Sequence, residues 1–173
     1  MCIRDRQELE GFTYATALDL NMGYYTIRLD PDASKTCTII FLWGKYSYLW
    51  LPMGVAYFPD IFQARMSELM ATLEFIRTYL DDLLCSSKGN LEDHINKLRW
   101  VFIRLRDACL MVNACKSSFC AAETEYLGYV LSQDGIKQQP KKVQAILTLI
   151  PPHNVKQLHR FLGMVQYYRD IWA

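Results

Sequence analysis

Two periods of hydrophobic and polar residues divide the chain into elements, one alternating and one recurring every three to four residues. Residues 12–18 are short and β-prone and end at Asp19, which predicts a strand delivering a carboxylate at its tip. Residues 36–51 alternate β-branched and aromatic side chains around Gly44-Lys45, the pattern of a hairpin. From Pro59 the apolar positions Ile61, Phe62, Met66, Leu69, Met70 and Leu73 keep helical spacing, with Pro59 near the first turn. Residues 75–80 and 83–86 predict two short strands flanking Asp81-Asp82, which places the acidic pair at a hairpin turn. Asn90 caps a second helix with Leu91, Ile95, Leu98, Phe102, Leu105 and Cys109 on its inner face and acids in its first turn. Residues 111–131 return to β character, with a turn near 120–124. Pro140 opens a third helix (Val143, Ile146, Leu147, Ile150) stopped by Pro151-Pro152. Asn154, with Gln157 three residues on, starts a fourth through Leu158, Phe161, Leu162 and Val165. Leaving this tail aside, the order predicts an α+β fold, an antiparallel sheet with helices on one face.

Composition adds limits. With 51% hydrophobic and 21% charged residues, the 173-residue chain has material for one core, or for a domain and a piece of another. No apolar run approaches the ~20 residues that span a bilayer, and the N-terminus lacks the order of a signal peptide. Six cysteines without paired spacing read as free thiols of an intracellular protein. The net charge of +1 hides a division: residues 1–136 hold 13 Lys/Arg against 17 Asp/Glu, and residues 137–173 hold six Lys/Arg against Asp170 alone. Either the acidic part gathers cations while the basic tail meets phosphates, or both are solvated faces. Met1-Cys2-Ile3-Arg4-Asp5-Arg6 looks like a translated sequencing adapter, so residues 1–7 are set aside as a scar and a longer parent protein is expected.

Candidate chemistry concentrates at Tyr79-Leu80-Asp81-Asp82 and at Asp19. Neighbouring side chains of a straight strand point to opposite faces, whereas at a turn they can approach. Carboxylates between Leu80 and Leu83-Leu84 are costly to desolvate. Divalent cations would offset that cost; Mg²⁺ prefers oxygen ligands, and two ions about 4 Å apart can activate a hydroxyl and steady a leaving phosphate. The alternative is an acidic turn in water. His94, His153 and His159 lack metal-ligand spacing, Cys115 and Cys120 lack a second pair, and Asp30-Pro31-Asp32 reads as a solvated turn.

The wider pattern resembles reverse transcriptases of gypsy-type long-terminal-repeat retrotransposons. It is carried by Leu18-Asp19-Leu20-Asn21-Met22-Gly23-Tyr24-Tyr25-Thr26-Ile27, Lys35-Thr36, Leu51-Pro52-Met53-Gly54-Val55 and Pro59-Asp60-Ile61-Phe62-Gln63. It continues through Tyr79-Leu80-Asp81-Asp82, Lys116 with Phe119, Tyr126-Leu127-Gly128-Tyr129, Phe161-Leu162-Gly163 and Tyr167-Tyr168-Arg169. The resemblance implies a polymerase palm with a ferredoxin-like core and a partial fingers hairpin over residues 8–131, followed at 132–173 by the start of a helical thumb. It implies RNA-directed DNA polymerase activity dependent on two Mg²⁺ ions, with Mn²⁺ as a substitute.

Carried over by position, Asp19 and Asp81 would hold both metals, Asp82 would be a further carboxylate of the site, and the Leu20 carbonyl would help hold the nucleotide-bound ion. Tyr24 is either a steric gate against a ribose 2′-hydroxyl or a half-buried strand tyrosine. With Tyr24, the residues Tyr25, Pro52, Met53 and Gly54 would form the nucleotide pocket, and Lys116 either faces the triphosphate or is a surface lysine. Gln63 and Tyr79 would lie on the template–primer side, and Leu127, Gly128 and Tyr129 would hold the primer terminus, while Pro52, Met53, Gly54, Gln63 and the 126–129 segment also read as packing residues. Thr26 stands where the family commonly has glutamine, and Leu49-Trp50 and Tyr57-Phe58 are unusually apolar, which bears on nucleotide geometry. Implied partners are an RNA or DNA template with primer and deoxynucleoside triphosphates. RNase H and integrase modules are expected in the parent polyprotein, within a cytoplasmic particle. The competing readings are an inactive nucleic-acid-binding relic of such an element and a viral RNA-dependent RNA polymerase palm.

Overall fold

The computed structural model describes residues 11–167, so the expected scar at 1–7 and the Tyr168-Arg169 pair lie outside the described residues. Thr13–Ala121 form one compact unit, and a second unit includes the chain from Ala122 onward. In chain order the first unit runs β1 (Tyr14–Asn21), a 3-10 turn (Gly23–Thr26), α1 (Pro31–Thr36), β2 (Thr38–Phe41), β3 (Gly44–Ser47), α2 (Phe58–Met70), β4 (Ile76–Tyr79), β5 (Asp82–Ser87), α3 (Leu91–Asp107), β6 (Met111–Val112) and β7 (Ser118–Ala121).

β1 is the centre of an antiparallel five-stranded sheet. One edge pairs with β5 from Tyr14↔Ser87 to Asp19↔Asp82, and β4 adds outside β5. The other edge pairs with β7 at Ala15 and Ala17 and with β6 at Leu20 and Asn21. The pairing with β6 carries the strand past its expected end, so Asp19 lies inside β1 rather than at its tip.

Strand alternation divides the chemistry between two faces. Leu18 and Leu20 of β1 and Leu83 of β5 enter a core with Phe62, Met66 and Met70 of α2 and Val101 and Leu105 of α3. Asp19 and its partner Asp82 stand on the opposite face of the same strands. Arg104 of α3 donates to the Leu69 carbonyl at 2.7 Å, tying the two helices together.

α2 forms as the spacing predicts, with proline in its first turn. α3 is capped by Asn90, whose side chain accepts the Asp93 N–H at 2.9 Å. The buried stripe of α3 differs from the expected one. His94, Leu98, Val101 and Leu105 are buried, whereas Leu91, Ile95 and Phe102 are exposed and Cys109 lies beyond the helix. The apolar positions alone suggest another helix face because the stripe includes a histidine.

Two turns are also displaced from expectation. The β2–β3 hairpin turns at Leu42-Trp43, since Phe41 pairs with Gly44. Asp30-Pro31-Asp32 begins α1 instead of an isolated turn: the Asp30 carboxylate accepts the N–H groups of Asp32 and Ala33 at 2.8 and 3.0 Å. Those bonds hold its pKa below the ordinary carboxylate range.

The second unit contains a meander, β8 (Glu123–Tyr126), β9 (Tyr129–Ser132) and β10 (Gly135–Gln138), then α4 (Pro140–Leu147) and α5 (Val155–Tyr167). The sequence pattern does not predict β10. α4 ends before the proline pair, with Thr148 as its C-cap. The start of α5 is capped as expected, the Asn154 side chain accepting the Gln157 N–H at 2.9 Å while the Gln157 side chain accepts that of His153 at 2.8 Å. Among the described residues, no helix is long and apolar enough to cross a membrane.

Candidate active site

The site begins at the end of the β1–β5 ladder. Because Tyr79 pairs with Asp82, the two-residue turn between β4 and β5 is Leu80-Asp81, and Asp82 already belongs to β5. The acidic pair is therefore divided, one carboxylate on the turn and one on the strand. Leu80 takes φ 51°, and Asp81 does not share the positive φ, the sign pattern of a type II′ turn. The Asp81 carbonyl accepts the Leu20 N–H at 2.9 Å, which draws the turn against β1.

Asp19 is fixed by its own backbone. Its N–H donates to Ser117 Oγ at 3.1 Å, and its carbonyl accepts the Asn113 N–H at 2.8 Å. Ser117 Oγ in turn donates to the Asn113 carbonyl at 2.7 Å. Asn113 and Ser117 carry no signature that sequence reasoning could have used, because they act on the Asp19 backbone from the segment joining β6 and β7, far along the chain. Lys116 Nζ lies 3.8 Å from Asp19 Oδ1, with the lysine largely exposed, so the pair is a screened contact.

Asp81 and Asp82 both have raised pKa values. Partial burial is the larger cause for each; Asp82 and then Asp19 act on Asp81, and Asp19 acts on Asp82. Asp81 Oδ1 is a buried oxygen with no hydrogen-bond partner among the described residues. It faces the Gly23 backbone, where a Cβ would stand 3.1 Å from it and 2.6 Å from Phe62 Cζ. Glycine is required here by lack of space.

Tyr24 follows on the 3-10 turn, not on a strand. Its ring is buried and stacked on Phe62, with centroids 4.7 Å apart and planes at 20°. Burial foremost, then the nearby Asp81 and Tyr79, raise its phenol pKa. Gln63 lies on α2 and bonds to the Leu80-Asp81 turn. Asp19, Asp81, Asp82, Tyr24, Gln63, Tyr79 and Lys116 are thus linked in one neighbourhood.

Tyr25 is exposed, Pro52 is buried, and Met53 and Gly54 are exposed, Gly54 at φ 96°. The Leu20 side chain is in the core. Leu127 and Gly128 form the β8–β9 turn with φ 48° and 78°, the two positive values a type I′ hairpin requires, and Tyr129 opens β9. These three residues belong to the second unit.

Sequence comparison decides the family. Residues 3–131 match the family described as reverse transcriptase (RNA-dependent DNA polymerase). The chain belongs to the reverse transcriptase family. It is 41% identical over 159 residues to the retrovirus-related Pol polyprotein from transposon opus of Drosophila melanogaster, covering 90% of this chain and 16% of that protein. It is 33% identical over 158 residues to the Pol polyprotein from transposon gypsy of the same organism, covering 90% of this chain and 15% of that protein. A foamy viral protease-reverse transcriptase in complex with double-stranded DNA shares the fold with TM-score 0.87 at 24% identity, over 91% of this chain and 28% of that one. The gypsy-type resemblance and the α+β palm architecture both stand.

Reverse transcriptase membership implies dependence on divalent metal. The acidic residues fit such ions chemically, since an orphaned carboxylate oxygen and mutually repelling neighbours are what a cation would satisfy. They are not drawn together in advance: among the described residues, no three His, Cys, Asp or Glu side chains form a group that could hold a metal ion. Asp81 turned toward Gly23, and Asp19 paired with Lys116, leave the carboxylates adjacent but not convergent.

Proposed function

We propose that this chain carries the polymerising site of an RNA-directed DNA polymerase, with residues 8–131 as palm and partial fingers and 132–173 as the start of the thumb. The observation that carries the reading is the pairing of Asp19 with Asp82 beside a turn whose Asp81 carboxylate oxygen is buried with no partner among the described residues. Two Mg²⁺ ions would supply activation of the primer 3′-hydroxyl and neutralisation of the leaving pyrophosphate. Asp19, Asp81 and the Leu20 carbonyl would hold them, with Asp82 lending further negative charge. Approach of the carboxylates requires Asp81 to turn from Gly23 and Asp19 to release Lys116, which frees that ammonium for a triphosphate.

Tyr24, braced by Phe62, supports a closed floor that refuses a ribose 2′-hydroxyl. Tyr25, Pro52, Met53 and Gly54 complete the nucleotide pocket in this reading. Gln63 and Tyr79 lie toward the template–primer, and Leu127, Gly128 and Tyr129 hold the primer end. The substrates are a primed RNA or DNA template and deoxynucleoside triphosphates. RNase H and integrase modules accompany the site in a longer polyprotein within an intracellular particle.

Primer extension on an RNA template tests the reading. Asp81→Asn should lower Mg²⁺-dependent deoxynucleotide incorporation by about 10²–10³-fold or more, the scale of losing a preorganised electrostatic contact. Equal incorporation by the variant rejects the assigned role. Template binding without incorporation, in excess metal and nucleotide, establishes the inactive relic instead, and preference for ribonucleotides an RNA polymerase.

A further inference from the structure

Leu80 poses a physical problem. A bulky residue at φ 51° stands in the left-handed region, which is strained for a residue with a Cβ. Hairpin turns of this kind usually put glycine there. The Leu80 N–H, at the first corner of the turn, would ordinarily be left to water.

The side chain of Gln63 meets both needs from α2. Its Oε1 accepts the Leu80 N–H at 2.6 Å. Its Nε2 donates to the Thr78 carbonyl at 3.2 Å and to Ser67 Oγ at 3.1 Å. One planar amide therefore spans the β4 side of the turn, while the Leu20 N–H holds the other side through the Asp81 carbonyl. Ser67, one helical turn further along α2, holds the amide itself.

We propose that Gln63 is a positioning residue whose amide clamps the Leu80-Asp81 turn in its left-handed form and so fixes where the Asp81 carboxylate stands. The inference rests on the reading of Asp81 as a metal ligand. It gives Gln63 a duty different from reaching the template, because both ends of its amide are engaged within the protein. Metal sites lose affinity when the groups orienting their ligands are removed, and this clamp acts on a ligand through its backbone.

Amide hydrogen exchange and Cα chemical shifts of the full chain, read by NMR without metal, test the clamp. In Gln63→Leu the Leu80 N–H should exchange roughly tenfold faster, the worth of one hydrogen bond. The Leu80 Cα shift should leave its left-handed value while Leu83 and Leu84 stay protected. Gln63→Glu keeps an acceptor and should retain most of the Leu80 protection, so the proposal stays testable if the leucine variant fails to fold. A Mg²⁺ titration should then show affinity about tenfold weaker in Gln63→Leu. Unchanged Leu80 exchange in Gln63→Leu overturns the clamp, and loosened exchange with unchanged Mg²⁺ affinity overturns the positioning role. If the unsubstituted chain binds no Mg²⁺, the metal-ligand reading of Asp81 and the positioning role resting on it both fall, and the exchange data still decide whether the clamp exists.

Discussion

The two ends of the β1–β5 ladder treat buried polar groups in opposite ways. At one end His94 of α3 is fully buried between strands. Its Nε2 lies 2.8 Å from Thr16 Oγ1 and its Nδ1 2.8 Å from Ser87 Oγ, and Thr16 Oγ1 also accepts the Cys120 N–H at 3.0 Å. A neutral imidazole has one donor and one acceptor nitrogen, and a hydroxyl can answer either. At the other end three carboxylates are neighbours without converging, and a buried oxygen of Asp81 has no partner among the described residues. The first end is matched atom for atom and ties β1, β5, β7 and α3 together. The second is left incomplete in the protein itself, which costs stability and, in the proposed function, is what a bound cation would offset.

Breaking the satisfied end should have the largest effect on stability. His94→Leu leaves the Thr16 and Ser87 hydroxyls buried with partners removed, and should destabilise the fold by about 2–4 kcal/mol in urea denaturation. A change under half that size would mean that the polar knot is not a structural tie. Gly23→Ala comes next. Its Cβ would press on Phe62 and Asp81, where the stacked Phe62 ring has little freedom, and overpacking of this kind costs about 1–3 kcal/mol. Its near-ultraviolet circular dichroism should change with the Tyr24–Phe62 stack, and an unaltered spectrum with wild-type stability would contradict that contact.

The smallest effects are in pH and metal, and there the ends should oppose each other. The raised carboxyl pKa values of Asp81 and Asp82 mean that the folded state disfavours their charged forms. Their penalty is absent below the ordinary carboxylate pKa and grows in as pH rises through the raised values. Asp81→Asn should therefore raise the metal-free melting temperature at neutral pH and leave it unchanged near pH 3. Burial foremost, then Lys97, lowers the His94 pKa. Its contribution is complete above the ordinary histidine value of about 6.5 and is lost as pH falls through the lower folded value. In Asp81→Asn the remaining loss of stability on mild acidification should be steeper than in the unsubstituted chain. Mg²⁺ should raise the melting temperature of the unsubstituted chain and fail to do so in the variant. Parallel pH curves for the two proteins would remove the contrast between the ladder's ends.

Some of this was legible in local residue patterns. Asn90 and Asn154 marked helix starts, Pro59 and Pro140 stood in first turns, and Tyr79-Leu80-Asp81-Asp82 with Asp19 marked the acidic neighbourhood and, by resemblance, the family. Caps, turn-prone residues and motif spacing act over a few positions, so the chain alone states them. Tertiary structure decided the rest. It paired Asp19 with Asp82, made Leu80-Asp81 the turn, rotated α3 to bury His94, and turned the Gln63 amide onto Leu80. Register, helix rotation and the direction of a polar side chain depend on which distant groups offer volume or a hydrogen bond, and those partners exist only once the strands and helices have met.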